Sequence, residues 1–274
     1  MRQHFAGLTI LPLLLLVGLL ISPAAAEDKK PALTAEEIIS KHLAAAGGKE
    51  ALGRFKSRIA IGTVRKENDS NIKMAIMSEA PNRLSAVYVF PEYELRFVYN
   101  GSSGIIQPQI PRKYTKFESK YREIAASGLM FNNISLYNLL LQPPGEVKFE
   151  AKGTKKLKGR EAYIIDVKRS KGDAMRLYFD AESFMWVRTD YGKTHISSEI
   201  RPFTNEPATH GGDELTVDFY IETSDFRDVD GVKLPFKFEQ VISVPILRQA
   251  TSGLITGTIT EYRHNEVIDP RMFQ

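Results

Sequence analysis

Ala162-Tyr-Ile-Ile-Asp-Val-Lys168, Ala174-Met-Arg-Leu-Tyr-Phe179 and Phe184-Met-Trp-Val-Arg-Thr189 follow one another, separated by Ser170-Lys-Gly-Asp173 and Asp180-Ala-Glu-Ser183. In the first run Tyr163, Ile165 and Val167 alternate with Ile164, Asp166 and Lys168. In the second, Met175, Leu177 and Phe179 alternate with Arg176, Tyr178 and Asp180. A period of two marks strands with one buried face. The separators are too short for a crossover helix, so the strands must pair as an antiparallel meander that grows by hairpins.

Toward the C-terminus the same pattern continues. Val217, Phe219 and Ile221 alternate with Asp218, Tyr220 and Glu222. Across Asp228-Val-Asp-Gly231, Val232, Leu234, Phe236 and Phe238 alternate with Lys233, Pro235, Lys237 and Glu239. This is a hairpin, and its acidic turn lacks the further ligands of a calcium loop. Leu254 to His264 is a last strand, and Phe273 is expected to be buried. His195 to Glu214 is long and irregular, with Ile196 to Ile200 a further strand candidate. Toward the N-terminus, Ser57–Arg65 and Asn71–Ser78 flank a polar turn. Arg83–Phe90, Glu94–Tyr99 and Ile105–Pro108 come next.

About ten strands in one curved antiparallel sheet are therefore expected, an α+β but mainly β protein. Ile72, Met74, Ile76, Leu177, Phe179, Phe219, Ile221, Phe236 and Phe238 are the candidates for its inner wall. A register slip of one residue would turn any of them outward.

Two segments change period. Thr34 with Glu37 forms a capping box, Ile38, Ile39, His42, Leu43 and Ala46 fall on one stripe, and Gly47-Gly48 ends the helix. His42 on that stripe reads as a packed, hydrogen-bonded core residue. From Glu118 to Gln142, Tyr121–Ser127 reads as helix, Gly128 interrupts it, and Asn132 or Asn133 caps a second helix that Pro143-Pro144 stops. Leu129, Met130 and Phe131 sit between the two pieces, while Leu136, Leu139 and Leu140 fill the second. The insert is either a core helix packed on the sheet or a lid over an apolar cavity, hinged at Gly128. These two segments alone carry enough apolar surface to cover the sheet's concave face.

Arg2, the apolar stretch Leu8–Ile21 and Ser22-Pro-Ala-Ala-Ala26 read as a signal peptide, residues 1–26, leaving 27–274 as a single domain. The chain has no Cys, which removes a disulfide framework, a thiolate metal site and a lipid-modified cysteine, and favours a bacterial periplasm. The formal net charge is +4 with the signs interspersed, so nucleic acid is not an expected partner. Lys152 to Arg160 is the densest basic run and reads as a solvated hairpin, or else as a surface for an anionic membrane or partner. There is no Gly-x-Ser-x-Gly elbow, no His-Glu-x-x-His and no phosphate loop. His42, His195, His210 and His264 are scattered, and His210-Gly-Gly-Asp213 reads as a loop. No catalytic residue, cofactor or metal ligand is assigned.

The N-terminal helix with Gly-Gly, Pro81-Asn-Arg83, Val98-Tyr-Asn-Gly-Ser-Ser-Gly-Ile-Ile106, the apolar insert and Tyr178-Phe-Asp-Ala-Glu182 come in an order that resembles periplasmic outer-membrane lipoprotein carriers of the LolA-like superfamily. The tail, Asp225–Pro235 and Ile268-Asp-Pro-Arg-Met-Phe273, resembles its longer, uncharacterised members. The resemblance implies an open half-barrel that holds acyl chains against its concave face beneath lid helices. It also implies a lid-locking Arg, which the sequence assigns to no position.

The expected function is thus a periplasmic carrier for lipid or lipoprotein acyl chains, touching membranes only transiently. The alternative is an envelope sensor or accessory domain on the same fold, recognising lipoprotein or another envelope protein through an exposed apolar patch such as Val244-Pro-Ile-Leu247.

Overall fold

Twelve antiparallel strands form one sheet in a computed structural model that describes residues 33–66, 71–91, 94–101, 104–109, 133–136, 139–141, 147–168, 175–197, 214–243 and 252–274. The signal-peptide segment, Tyr121–Phe131 with its Gly128 hinge, Val244–Leu247 and His210–Asp213 lie outside the described residues. The first five strands are β1 (Ser57–Lys66), β2 (Ile72–Glu79), β3 (Arg83–Val89), β4 (Glu94–Tyr99) and β5 (Gly104–Gln109). The other seven are β6 (Lys148–Leu157), β7 (Arg160–Lys168), β8 (Met175–Asp180), β9 (Trp186–Ser197), β10 (Glu214–Val229), β11 (Val232–Ser243) and β12 (Ser252–His264). Of the strand candidate Ile196–Ile200, Ile196 and Ser197 form the end of β9, and 198–200 lie outside the described residues.

Their spatial order is β5-β4-β3-β2-β1-β12-β11-β10-β9-β8-β7-β6. The chain steps outward from β1 to one edge, passes to the opposite edge between Gln109 and Lys148, and steps back until β12 closes on β1. The sheet stays open between β5 and β6, and the connection that carries Asn133–Leu141 runs from edge to edge.

The curvature has local causes. Register shifts fall at Ile61/Gly62, Ala151/Thr154, Tyr178/Phe179 and Asp218/Tyr220. Each bulge bends its strand and tightens the twist. At Gly62 a side chain has no room, since a Cβ would lie 2.1 Å from the Thr258 carbonyl oxygen. Asp230-Gly231 joins β10 to β11 with φ of 54° and 78°, and Lys158-Gly159 joins β6 to β7 with 47° and 86°. Two positive φ values in succession give the primed turn whose twist matches a hairpin.

Helix α1 (Ala35–Ala45) begins in the expected capping box: Thr34 Oγ1 accepts from the Glu37 amide at 3.2 Å, and Glu37 Oε2 accepts from the Thr34 amide at 2.8 Å. The Lys233 amide donates to Ala46 O at 3.0 Å, fixing the helix end to β11. A short helix α2 (Lys49–Gly53) follows. Phe273 is buried in a terminal 3-10 turn, Pro270–Phe273, with the Arg83 guanidinium 5.0 Å from its ring centre.

One expectation is corrected. Asn133–Leu136 and Leu139–Leu141 are turn and bend, not the second helix that leucine spacing predicts. The Ser135 carbonyl and the Asn133 side-chain amide are bonded to the sheet instead. The Ser135 carbonyl accepts from Arg58 rather than from a helical amide, and the Asn133 side chain bonds β9 and β10 rather than capping a helix.

Candidate functional site

The sheet's inner face is one continuous apolar cluster. Met74, Ile76, Leu177, Phe179, Phe219, Ile221, Phe236 and Phe238 are all buried in it, and Ile72 packs against it half-buried. Alternation in register explains why: Phe219 and Ile221 share a phase with Thr223, which faces Phe238 across the hairpin. Aromatic rings meet along this face, with Tyr191 and Phe219 at 5.0 Å, Phe236 and Tyr262 at 5.3 Å, and Tyr88 and Phe97 at 5.8 Å. Gly257 of β12 leaves the space that the Phe238 ring fills.

The same cluster takes in Ala35, Ile38 and Leu43 of α1, and Ile134, Leu139 and Leu140 of the edge-to-edge connection, with Leu136 half-buried beside them. Helix and connection therefore cover the inner face. Leu129, Met130 and Phe131, the other expected lid residues, lie outside the described residues.

Where this cover meets the sheet, the contacts turn polar. Asn133 Nδ2 donates to Trp186 O at 2.8 Å and lies 3.0 Å from Thr223 Oγ1, and the Thr223 hydroxyl donates to Trp186 O at 2.8 Å. Arg58 of β1, almost fully buried, donates from Nη1 to Ser135 O at 2.9 Å and from Nε to His264 Nε2 at 2.9 Å. That bond makes Nε2 the acceptor, so the His264 proton sits on Nδ1, 2.7 Å from Asp230 Oδ2. The Phe55 ring stacks on His264 at 3.8 Å. Burial pushes the Arg58 guanidinium down to about 10, which leaves it charged at neutral pH. Burial also lowers His264 against the opposing pull of Asp230.

Beneath Asn133–Leu136 lies a pocket of about 50 Å³ lined by His42, Arg58, Asn133, Ser135, Trp186 and Leu234 among others. His42 donates from Nδ1 to Phe184 O at 2.9 Å and packs 5.1 Å from the Phe179 ring and 6.3 Å from Trp186. Burial pushes its pKa down to about 4, so it is a neutral core residue, as its place on the apolar stripe suggests.

A domain from Vibrio parahaemolyticus assigned to outer membrane lipoprotein sorting superimposes with a TM-score of 0.52 at 11% identity, over 87% of this chain and 95% of that one. The fold is LolA-like. A DUF1329 family protein from Desulfovibrio piger matches at 0.50 and 9% identity, over 88% and 97% of the two chains. A LolA superfamily protein from Nitrosomonas europaea scores 0.48 at 10%, over 89% and 98%. No family model matches the sequence, and no curated protein does.

On this LolA-like frame the nine wall residues predicted from alternation are brought together, but as packed core: none of them lines the pocket. The polar seam of Arg58, Asn133, Ser135 and His264 was missed. Its one sequence signal is Arg58 at the start of an otherwise alternating strand. The outer face carries a separate depression of about 160 Å³, over Ala162 and Val187, where Lys158 reaches Glu222 at 2.7 Å and Glu239 at 2.6 Å. No group of three or more potential metal ligands forms among the described residues.

Proposed function

We propose that this chain is a periplasmic carrier for lipid or lipoprotein acyl chains, made as a precursor whose residues 1–26 are removed, with residues 27–274 working as one domain. The observation that carries this reading is the cover. A connection that crosses from one open edge of the sheet to the other buries Ile134, Leu139 and Leu140 in the apolar cluster of the inner face, and Asn133 and Ser135 tie it to Trp186, Thr223 and Arg58 of the strands. Such a cover lifts by breaking side-chain bonds of this kind, each contributing about 1 kcal/mol net, without disturbing the strand ladders.

Lifting it exposes Ile72, Met74, Ile76, Leu177, Phe179, Phe219, Ile221, Phe236 and Phe238 as the wall for the acyl chain, each buried CH2 contributing about 0.8 kcal/mol. Leu129, Met130, Phe131, Leu136, Leu139 and Leu140 form the lid. Arg58 takes the place of the lid-locking Arg that the LolA-like resemblance implies. The chemistry needs no catalytic group, metal or cofactor, and contact with a membrane lasts only for loading and release.

The test uses the cysteine-free background. Asn133 Nδ2 and Thr223 Oγ1 are 3.0 Å apart, so cysteines at both positions tie cover to sheet. Transfer of a fluorescent fatty acid between vesicles should stop in the oxidised Asn133→Cys/Thr223→Cys protein and return on reduction. Equal transfer by both forms would show that the cover is not the gate, and an absence of transfer in both forms sinks the carrier reading.

A further inference from the structure

The pocket beneath the cover holds a guanidinium, Arg58, that no described carboxylate pairs with; the Phe55 ring centre lies 5.9 Å from its Cζ. Of the Arg58 guanidinium nitrogens, Nη1 is spent on Ser135 O and Nε on His264, while Nη2 has no hydrogen-bond partner among the described residues. Asp230 is linked to Arg58 only through the neutral His264 ring, and among the described residues no carboxylate forms an ion pair with the guanidinium. An unpaired buried charge is costly, and proteins place one where a ligand or a catalytic step uses it.

Two polar atoms of the same pocket are buried without a partner among the described residues, Ser135 Oγ and Asn133 Oδ1. With Asn133 Nδ2 already bonded, its Oδ1 can only accept. The pocket thus offers a guanidinium N–H and a hydroxyl as donors and one amide oxygen as acceptor, beside the apolar Trp186, Leu136 and Leu234. Lys233 adds positive charge at its exposed rim, and His42 is held neutral by its bond to Phe184 O. About 50 Å³ holds the oxygens of a head group but not an acyl chain.

We propose that this pocket is an oxyanion subsite. Arg58 Nη2 and the Ser135 hydroxyl donate to a carboxylate or phosphate oxygen of an amphiphile, a head that keeps a proton, such as a monoprotonated phosphate, also donates to Asn133 Oδ1, and the acyl chain enters the apolar interior. The inference rests on the carrier reading and names its ligand class, an anionic single-headed lipid. The shared chemistry is the oxyanion, which a free phosphate also carries.

The experiment titrates the full-length protein, purified from the periplasm of an expression host, with palmitate, methyl palmitate and inorganic phosphate. Trp186 fluorescence and thermal melting are the readouts. Palmitate should bind about ten-fold or more tightly than its methyl ester. Arg58→Met should abolish that preference, so that acid and ester bind with equal affinity. Ser135→Ala, which removes an unbonded hydroxyl, should lower acid binding more than ester binding, and keeps the test open should Arg58→Met misfold.

Phosphate that competes with palmitate shows that the subsite also accepts a free anion, whereas failure to compete assigns it to the lipid head. Equal affinity for acid and ester in the unmodified protein overturns the subsite and leaves the carrier reading standing. Binding of neither lipid overturns the carrier reading. The subsite then rests on phosphate alone, supported by a rise in melting temperature that Arg58→Met lacks and overturned by no rise.

Discussion

Arg58 Nη1 donates to the carbonyl oxygen of Ser135 at 2.9 Å, joining the first strand of the sheet to the segment that covers it. The planar guanidinium serves Ser135 O and His264 Nε2 together, and a lysine ammonium cannot reproduce that fork. Arg58→Lys is expected to loosen the cover more than the sheet. Hydrogen exchange at Leu139 and Leu140 should quicken by about ten-fold, while global stability falls by about 1–2 kcal/mol. Equal loss of protection in β1, β2 and the cover would show that Arg58 holds the sheet itself.

His42 sets a pH limit on stability. Its pKa is pushed down to about 4 in the folded protein, from an ordinary value of 6.5, chiefly by burial. A depressed pKa means that the unfolded chain binds the proton more readily. The contribution is full above pH 6.5 and is lost as pH falls toward 4, amounting to about 3 kcal/mol. His264, lowered in the same direction, acts with the same sign. Urea midpoints should therefore drop across that window, and His42→Gln should flatten the acid limb.

Gly257 and Phe238 are matched across β11 and β12. A Cβ at position 257 would lie 2.1 Å from the Phe238 ring. Gly257→Ala is expected to cost about 1–3 kcal/mol by overpacking, and Phe238→Ala about 3–5 kcal/mol by leaving a cavity. Because the added methyl enters the space the ring vacates, the double variant should be more stable than the two costs added together. Strict additivity in denaturant unfolding would show that the ring moves aside at no cost.

Trp186, the single tryptophan, is buried on the wall of the pocket, 6.0 Å from the Phe179 ring. Its emission should be blue-shifted in the empty protein and quenched by a brominated fatty acid. In the oxidised Asn133→Cys/Thr223→Cys protein the quenching should disappear. Quenching that survives oxidation would place entry somewhere other than beneath the cover.

The sequence by itself determined the local architecture of this protein. Alternation assigned the strands from Ser57 to His264 apart from β6, an exposed edge whose Lys152–Leu157 read only as part of a basic solvated hairpin; Asp228–Gly231 gave the clearest hairpin, Thr34 with Glu37 the start of α1, and the period of two the inward phase of Phe219, Ile221, Leu177 and Phe179. Each follows from interactions within a few residues, where side-chain period and turn stereochemistry act directly. The segment Asn133–Leu141 was misread as helix because leucine spacing registers burial, not which partners take the backbone bonds. Only the tertiary structure decided that Arg58 reaches Ser135, 77 positions away, that His264 takes the neutral tautomer facing Arg58, and that two edge strands lie far enough apart for one connection to cover the face between them. Those facts depend on strand order across the whole sheet, and an isolated arginine at the start of a strand carries no local sign of the carbonyl that will meet it.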